Sequence, residues 1–200
     1  MGTTPAHLRA VPGLAWGRML GSGVDFGLKP NLHRYALLLD WQADEAAAHA
    51  FLAADPLLAR WAARGWMART TWLAPVLAHG RWDGASPFRP APTTAPLTDD
   101  EPVAVLTRAA IRWRRVRAFW QAVPAASRAV LGAPGLRFSV GLGELPVVRQ
   151  ATVSLWDSAA QMKAYAYRAP EHLAVIKRTR AEGWYSEELF ARFRVVRTMD

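Results

Sequence analysis

The side chains of this sequence most able to bind a metal or cofactor are its five histidines: His7, His33, His49, His79 and His172. No two of them have HExxH or HxH spacing, so the sequence carries no local zinc signature. It also contains no cysteine, which excludes disulfides, iron–sulfur clusters and a thiolate-bound haem. No GxSxG motif is present, and Gly141-Leu142-Gly143 does not continue as a dinucleotide-binding GxGxxG. A metal or haem iron would therefore need His, Tyr, Met or a carboxylate.

His172 is the histidine whose neighbours are most informative. It follows Pro170, and proline suits the first position of a helix. Val175, Ile176 and Thr179 lie three, four and seven residues after it, so the four side chains share one mostly apolar helix face. We expect His172 to point from this helix toward a sheet. Two interpretations of His172 stay open. It is either a core residue whose ring is hydrogen-bonded within the protein, or a ligand of an iron atom.

A glycine-containing strand is predicted to lie opposite that helix. Its alternate positions Ser139, Gly141 and Gly143 are very small, whereas Arg137 on the same face is large. Small residues leave room for a flat ligand, and an imidazole facing such a space is what haem binding requires. Paired glycines also mark β-bulges, so this pattern alone does not distinguish a ligand pocket from a bulge.

The order of predicted elements is repeated along the chain. The second half reads strand, helix, strand, strand, helix, strand, over 102–112, 115–131, 136–146, 148–156, 158–183 and 184–196 (with a short helical turn expected at 186–190). The first half repeats the later part of this order, over 17–23, 33–41, 43–65 and from 66 onward. Matching landmarks, such as Gly21 with Gly141 and Pro56 with Pro170, are offset by 120 and 114 residues. The two prolines are predicted to break the helices at 43–65 and 158–183.

This order is that of a ferredoxin-like unit. The sequence therefore predicts an α+β fold of two fused ferredoxin-like repeats, the first lacking its first strand and most of its first helix. The expected boundaries are a first repeat at 1–78, a proline-rich linker at 79–102 pinned by Trp82 and Phe88, and a second repeat at 103–200 carrying the candidate site. Because two such units can hide their sheet edges in a barrel, the incomplete repeat predicts a homodimer or an exposed edge.

The formal net charge of +9 comes mainly from arginine, with its densest run at Arg112, Arg114, Arg115 and Arg117. Three interpretations are open: a phosphate-binding surface, attraction to an anionic membrane, or arginine usage without a function. No nucleic-acid motif is present, so no nucleic-acid partner is expected. The sequence has no apolar run long enough for a transmembrane helix and no secretory signal pattern. We expect a cytoplasmic protein with peripheral membrane contact as an option.

Three long runs, VAVLTRAAIRWRRVRAFWQAVP, FSVGLGELPVVRQATVSLW and HLAVIKRTRAEGWYSEELFARFRV, together with GRWDGASPFRP at 80–90, resemble the spheroidene monooxygenase family. The resemblance extends from about Leu14 to Arg197. It implies the dimeric α+β barrel type of fold and oxygenation of an acyclic carotenoid or similar apolar substrate, from CH₂ to hydroxyl to ketone. Family members typically begin with a strand and helix that this sequence lacks.

The resemblance also implies a haem b cofactor with its iron on His172, because similar barrels in chlorite dismutases and dye-decolourising peroxidases hold haem on a histidine of the corresponding helix. The residues expected to contact the haem are Phe138, Ser139, Gly141, Trp156, Met162, Ile176 and Trp184. Arg108, on the strand face opposite Thr107, is the first candidate for the distal polar group. Arg137 is the second, or a partner of a haem propionate.

Electrons would come from an external, ferredoxin-like donor, since the sequence has no flavin or iron–sulfur motif. Three alternatives remain at this stage. One is another haem enzyme on the same fold, a dehydratase or N-oxygenase of a small nitrogenous metabolite. The second is a non-catalytic carrier of haem or of an apolar ligand. The third is a basic interaction domain without a cofactor.

Overall fold

Seven segments with alternating apolar residues form one antiparallel sheet. The computed structural model describes residues 4–42, 44–145 and 147–199, with only the backbone for 4, 5, 171 and 172. The strands are β1 (Trp16–Gly23), β2 (Pro30–Asp40), β3 (Thr70–Gly80), β4 (Val103–Ile111), β5 (Leu136–Leu145), β6 (Arg149–Trp156) and β7 (Tyr185–Met199). Their order in the sheet is β2-β1-β5-β6-β4-β7-β3, so β2 and β3 are the edge strands.

The helices begin and end at residues suited to those positions. They are α1 (Thr4–Arg9), α2 (Glu45–Ala54), α3 (Pro56–Ala62), α4 (Val116–Leu131), α5 (Ala159–Arg168) and α6 (Pro170–Glu182). The side chains of Asp44, Asp55 and Ser158 accept backbone N–H bonds at the starts of α2, α3 and α5. Gly183 ends α6 with a left-handed backbone at φ 58°.

The sheet has two distinct faces. The inner face carries the main core, formed by Leu20, Trp82, Phe88, Ala104, Leu106, Val140, Leu142, Ala151, Leu189, Ala191 and Phe193. The outer face is covered by helices, and its core contains Val103, Trp156, Ala159 and Met162. α6 packs against α4 and α5 on this outer face.

The sheet is curled around its inner core. Phe88 contacts Trp16 of β1 at a ring-centroid distance of 5.2 Å and Phe193 of β7 at 5.3 Å. β1 and β7 are four strand spacings apart in the sheet, which in a flat sheet would separate them by about 19 Å. One phenyl ring can join them only because the sheet bends, so residues 81–89, here called the inner loop, lie inside the curl.

The sequence predicted most of these elements. The α+β class is confirmed as a mixed α/β fold with a curled antiparallel sheet, and the helix breaks at Pro56 and Pro170 are confirmed. Trp82 and Phe88 are 1% and 6% exposed, as expected for residues that pin the linker. The predicted helical turn at 186–190 is wrong, because these residues continue β7. α1 and the 3-10 turns at Val24–Phe26 and Trp113–Arg115 were not predicted. Within the described residues, no helix is long and apolar enough to cross a membrane.

Candidate functional site: a charge cluster inside the sheet

Charged residues follow the inward-facing apolar rows at one end of the curled sheet. On β4, Arg108 continues the row of Ala104 and Leu106, and on β7, Glu187 precedes Leu189. Since alternate residues of a strand share a face, these charges also point inward. Six residues make up what we call the interior charge cluster: Arg18, Asp83, Arg108, Glu144, Arg149 and Glu187.

Arg108 is the centre of this cluster, with a side chain only 1% exposed. Its guanidinium forms an ion pair with Glu187, and its Nη2 lies 3.1 Å from Asp83 Oδ1 and 3.6 Å from Glu144 Oε2. The guanidinium also lies 5.4 Å from the centre of the Trp82 ring. A buried charge is tolerated only when it is paired, and three carboxylates around one guanidinium provide that pairing.

Glu187 connects the cluster to the inner loop. Its two carboxylate oxygens accept backbone N–H bonds from Asp83 at 2.8 Å and Gly84 at 3.0 Å. Burial alone would raise the pKa of the Glu187 carboxyl. The bonds from Gly84, Asp83 and Arg108 outweigh burial, so its pKa is lowered and the group is held as an anion.

Arg18 and Arg149 complete the balance of charge. Arg18 lies 3.1 Å from Glu144 and 3.3 Å from Asp83, and Arg149 lies 3.1 Å from Asp83. Three guanidinium groups thus face three carboxylates, and the cluster is formally neutral. Beside it, the Nε of Arg108 and the indole N–H of Trp82 are buried without an acceptor among the described residues. Such donors can hydrogen-bond to an oxygen atom of a bound molecule.

The structure separates Arg108 from the helix that carries His172. Arg108 lies on the inner face, opposite Thr107 as the alternation predicted, whereas α6 lies on the outer face. The expected pairing of Arg108 with an iron held by His172 is therefore wrong, because the sheet stands between them. The side chain of His172 itself lies outside the described part of the chain.

Two further predicted site residues lie away from α6. Arg137 is mostly exposed and pairs with Asp157 at the surface, so it takes no part in a buried site. Phe138 packs with the inner core, on the face of the sheet opposite α6. It therefore cannot contact a haem bound between α6 and the sheet, and that expectation is wrong.

The space predicted above Gly141 is occupied. A methyl group on Gly141 would lie 2.9 Å from Cα and 3.0 Å from the ring of Phe26. Phe26 belongs to the 3-10 turn after β1, whose Asp25 carbonyl accepts a bond from the Ser127 hydroxyl of α4. Glycine is needed here so that another segment can approach closely, and the expectation of an open slot is wrong. Ser139 on the same face donates to the Val153 carbonyl at 3.3 Å.

The remaining predicted haem contacts pack against protein. Trp156 and Met162 share the outer core, where Trp156 stacks on Tyr165 at 5.3 Å and donates to the Ser154 hydroxyl at 2.9 Å. Trp184 is fully buried elsewhere, beside Phe119 of α4, and donates to Glu182. Ile176 is half-buried on α6. The predicted contacts therefore belong to separate places rather than to one pocket.

The described residues do not fit a haem bound between α6 and β5. The slot is filled by Phe26, and the aromatic walls already have protein partners. Two cavities of about 230 and 530 Å³ lie elsewhere, one beside His79, Ser86 and Arg89, the other on the exposed side of α5. In the described part of the chain, no three His, Asp or Glu side chains are grouped so that they could hold a metal ion.

Sequence reasoning missed five of the six residues in the interior charge cluster. A signal was present for four of them, because each lies two residues from a buried inward residue of its own strand: Arg18 from Leu20, Glu144 from Leu142, Arg149 from Ala151 and Glu187 from Leu189. A charge that follows an apolar row on several neighbouring strands indicates a polar layer inside a sheet. Asp83 carries no such signal, since it comes from a loop.

Comparisons with family models and with solved structures give little information about this chain. No family model matches the sequence. Among solved structures, a putative monooxygenase from Fusobacterium nucleatum is similar with a TM-score of 0.47 and 9% identity, over 100% of this chain and 85% of that one. A putative monooxygenase from Lactobacillus acidophilus gives a TM-score of 0.44 and 10% identity, over 98% and 89%. Similarity at this level supports no conclusion about function.

Sequence relatives give a much stronger result. Spheroidene monooxygenase of Rhodobacter capsulatus is 39% identical over 178 residues, covering 89% of this chain and 73% of that protein. The enzyme of Rubrivivax gelatinosus is 37% identical, covering 96% of this chain and 72% of that protein. That of Cereibacter sphaeroides is 37% identical over 94% of this chain, which spans 58% of its length. The chain belongs to the spheroidene monooxygenase family.

Proposed function

We propose that this chain acts in a monooxygenase that oxidises an acyclic carotenoid, converting a CH₂ group to a hydroxyl and then to a ketone. The observation that carries this proposal is 37–39% identity to three spheroidene monooxygenases over 89–96% of the chain. Because the chain spans only 58–73% of those proteins, their activity and substrate are transferred to it as a proposal.

The proposed reaction needs an electron donor. Insertion of one oxygen atom into a C–H bond consumes one dioxygen, two electrons and two protons, and releases the second oxygen atom as water. The sequence has no flavin or iron–sulfur motif, so we propose an external, ferredoxin-like donor. The net charge of +9 would attract an acidic donor and accelerate the encounter.

Haem b is the cofactor that the family resemblance implied, and His172 is its proposed ligand. The position of His172 near the start of α6 supports this, and the filled slot at Gly141 opposes it. Haem titration of the wild-type protein, followed by its visible spectrum beside His172→Ala, separates the two. A Soret band that is lost or shifted in His172→Ala supports the ligand. A wild type that stays colourless removes the haem proposal while leaving the oxygenase proposal to its own assay.

We also propose that the fold is built from two ferredoxin-like repeats, at 1–78 and 103–200 with 79–102 as the linker. The second repeat is supported by the strand order β5-β6-β4-β7, which a β-α-β-β-α-β unit gives when its helices pack on one face. In the first repeat β1, β2 and β3 would be the second, third and fourth strands. Its first strand would then lie between the edges of β2 and β3 and close the sheet into a barrel. A homodimer is the other proposed way of covering these edges.

Membership of the spheroidene monooxygenase family does not favour the alternatives of a dehydratase, an N-oxygenase or a non-catalytic carrier. The proposed oxygenase function is tested in cells that accumulate an acyclic carotenoid but lack this enzyme. Expression of the chain is expected to convert the carotenoid to hydroxylated and ketonic products, separated by chromatography and identified by mass. An unchanged carotenoid profile, with the protein folded and present, would count against the proposal.

A further inference from the structure

The densest basic run of the sequence surrounds an exposed tryptophan. Trp113 is 76% exposed, the most exposed aromatic side chain among the large hydrophobic residues of the described chain. It lies in the 3-10 turn between β4 and α4, and Arg112, Arg114 and Arg117 beside it are also exposed. A single exposed indole is common, but an indole among exposed guanidinium groups joins an apolar ring to positive charge on one surface.

The exposure of Trp113 is not explained by the open edges of the sheet. β4 lies two places from the edge strand β3 and four places from β2. The turn at Trp113 follows the end of β4 that pairs with the start of β6, where Ile111 donates to the Val148 carbonyl at 2.7 Å. A strand added to β2 or β3 would therefore leave Trp113 in solvent.

The charges of this turn are only partly neutralised. Arg115 pairs with Glu182 at 3.5 Å, and Arg112 donates from Nε to the Tyr185 carbonyl at 3.0 Å. Arg114 and Arg117 have no ion pair among the described residues. The stretch 110–120 contains four arginines and no acidic residue, so its surface presents net positive charge.

Leu145 adds apolar surface at the same end of the sheet. It is 50% exposed at the end of β5, where it pairs with Arg149, and Arg149 pairs in turn with Ala110 of β4. Exposed apolar side chains within a basic surface are typical of proteins that bind to the interface of a membrane.

We propose that Trp113, together with Arg112, Arg114 and Arg117, forms a docking surface for an anionic phospholipid membrane. The indole would lie at the level of the lipid headgroups, and the guanidinium groups would bind their phosphates. This inference rests on the proposed function, since a carotenoid substrate is dissolved in lipid and an enzyme held at the membrane meets it there.

The test is co-sedimentation with vesicles, which needs neither substrate nor electron donor. Vesicles of phosphatidylcholine alone are compared with an equal mixture of phosphatidylcholine and phosphatidylglycerol at low salt. Each arginine near an anionic surface contributes about 1 kcal/mol, or roughly fivefold in binding. We therefore expect Arg114→Gln with Arg117→Gln to weaken binding to the mixed vesicles by about tenfold or more, and Trp113→Ala to weaken it severalfold.

The matched control variants remove two guanidinium groups, or one exposed aromatic ring, from other parts of the surface. Arg128→Gln with Arg168→Gln lowers the net charge equally at exposed positions of α4 and α5, and Tyr167→Ala removes a ring that is 64% exposed. Both controls are expected to bind vesicles as the wild type does. Far-ultraviolet circular dichroism checks that all variants are folded.

Three results would overturn the inference. The first is wild-type protein that does not sediment with anionic vesicles. The second is equal weakening by the control pair, which would mean that net charge alone acts. The third is vesicle binding unchanged by the Trp113 and Arg114/Arg117 variants while their binding to duplex DNA falls, which would assign the surface to nucleic acid. Because turnover is not measured, a failed carotenoid assay and a failed membrane assay are distinguishable.

Discussion

Arg108 carries a positive charge in the interior of the sheet, where a charge needs partners of opposite sign. Its guanidinium is buried inside the sheet and is stabilised by the carboxylates around it and by the Trp82 ring. Removal of one partner of a buried ion pair leaves the other partners charged and poorly solvated, which costs about 3–5 kcal/mol. The interior charge cluster is therefore a structural requirement as well as a candidate site.

Arg108→Met is expected to lower the free energy of unfolding by about 3 kcal/mol or more. Arg137→Met is the matched control, because Arg137 forms an exposed pair with Asp157 and should change stability by no more than about 0.5 kcal/mol. Urea denaturation followed by tryptophan fluorescence measures both. Equal stabilities of the two variants would contradict the role given to the cluster.

The direction of Arg108 could be predicted from the sequence, but its partners could not. Alternation along TRAAIR places it opposite Thr107, and the structure has it on that face. Its pairing with Asp83 and Glu144 depends on the curl of the sheet and on the path of the inner loop. Neither the curl of the sheet nor the path of the inner loop can be predicted from the local sequence pattern.

At the scale of elements, the contact between the 3-10 turn at Val24–Phe26 and β5 decides what the outer face can bind. Asp25 and Phe26 have positive φ angles of 48° and 60°, which cost free energy in residues other than glycine. The Ser127 hydroxyl and the close approach to Gly141 hold the turn in this conformation.

Gly141→Ala is expected to destabilise the protein by about 1–3 kcal/mol, because its new methyl group would collide with the backbone of Phe26. Gly143→Ala provides the control on the same strand. The nearest atom to its methyl group would be the Gln150 amide at 3.6 Å, an ordinary contact, so stability should stay within about 0.5 kcal/mol of wild type. Thermal unfolding compares them. A neutral Gly141→Ala would mean that the turn does not occupy this space.

The elements also show where sequence reasoning succeeds. The prolines themselves predicted the helix breaks at Pro56 and Pro170, because proline interrupts a helix and suits the first position of a new one, which are local properties. The glutamates of the stretch 186–190 favour helix, so the sequence predicts a helical turn there. Pairing with β4 overrides that preference, since it places Leu189 in the inner core.

At the scale of the whole molecule, several carboxylates tie distant parts of the chain together in their ionised form. Glu101 joins the segment that precedes β4 to β7, and hydrogen bonds from Arg194 and from the Thr98 backbone lower its pKa from 4.5 to about 2. The pKa of Glu182 is lowered by Arg178 and Trp184. A carboxyl whose pKa is lower in the folded state stabilises the protein above its unfolded pKa, and this contribution is lost as pH falls.

The melting temperature is therefore expected to fall as pH decreases from about 4.5 to about 2, the interval given by Glu101. Glu101→Gln should have a lower melting temperature than wild type at neutral pH and a smaller decrease across this interval. Scanning calorimetry at several pH values gives both curves. Parallel curves for the two proteins would contradict the ionised pairing of Glu101 with Arg194.

The α+β class of the fold was visible in the sequence, and the chemistry was less so. The offset between Gly21 and Gly141 predicts related halves, and this stays a prediction; in the structure β1 pairs with β5, with Gly21 opposite Gly143. The small size of Gly141 also predicts room for a flat ligand, and Phe26 fills that space. Spacing along a chain predicts which residues share a face, but not which segment covers that face.

The proposed reaction transfers an oxygen atom from dioxygen to an acyclic carotenoid. It is tested most directly by supplying isotopically heavy dioxygen to the protein with the carotenoid and a reducing system, and measuring the mass of the hydroxylated product. We expect an alcohol heavier by the mass difference between the oxygen isotopes, formed only when the protein is present. An alcohol that carries its oxygen from water, or no oxidised product at all, would contradict it.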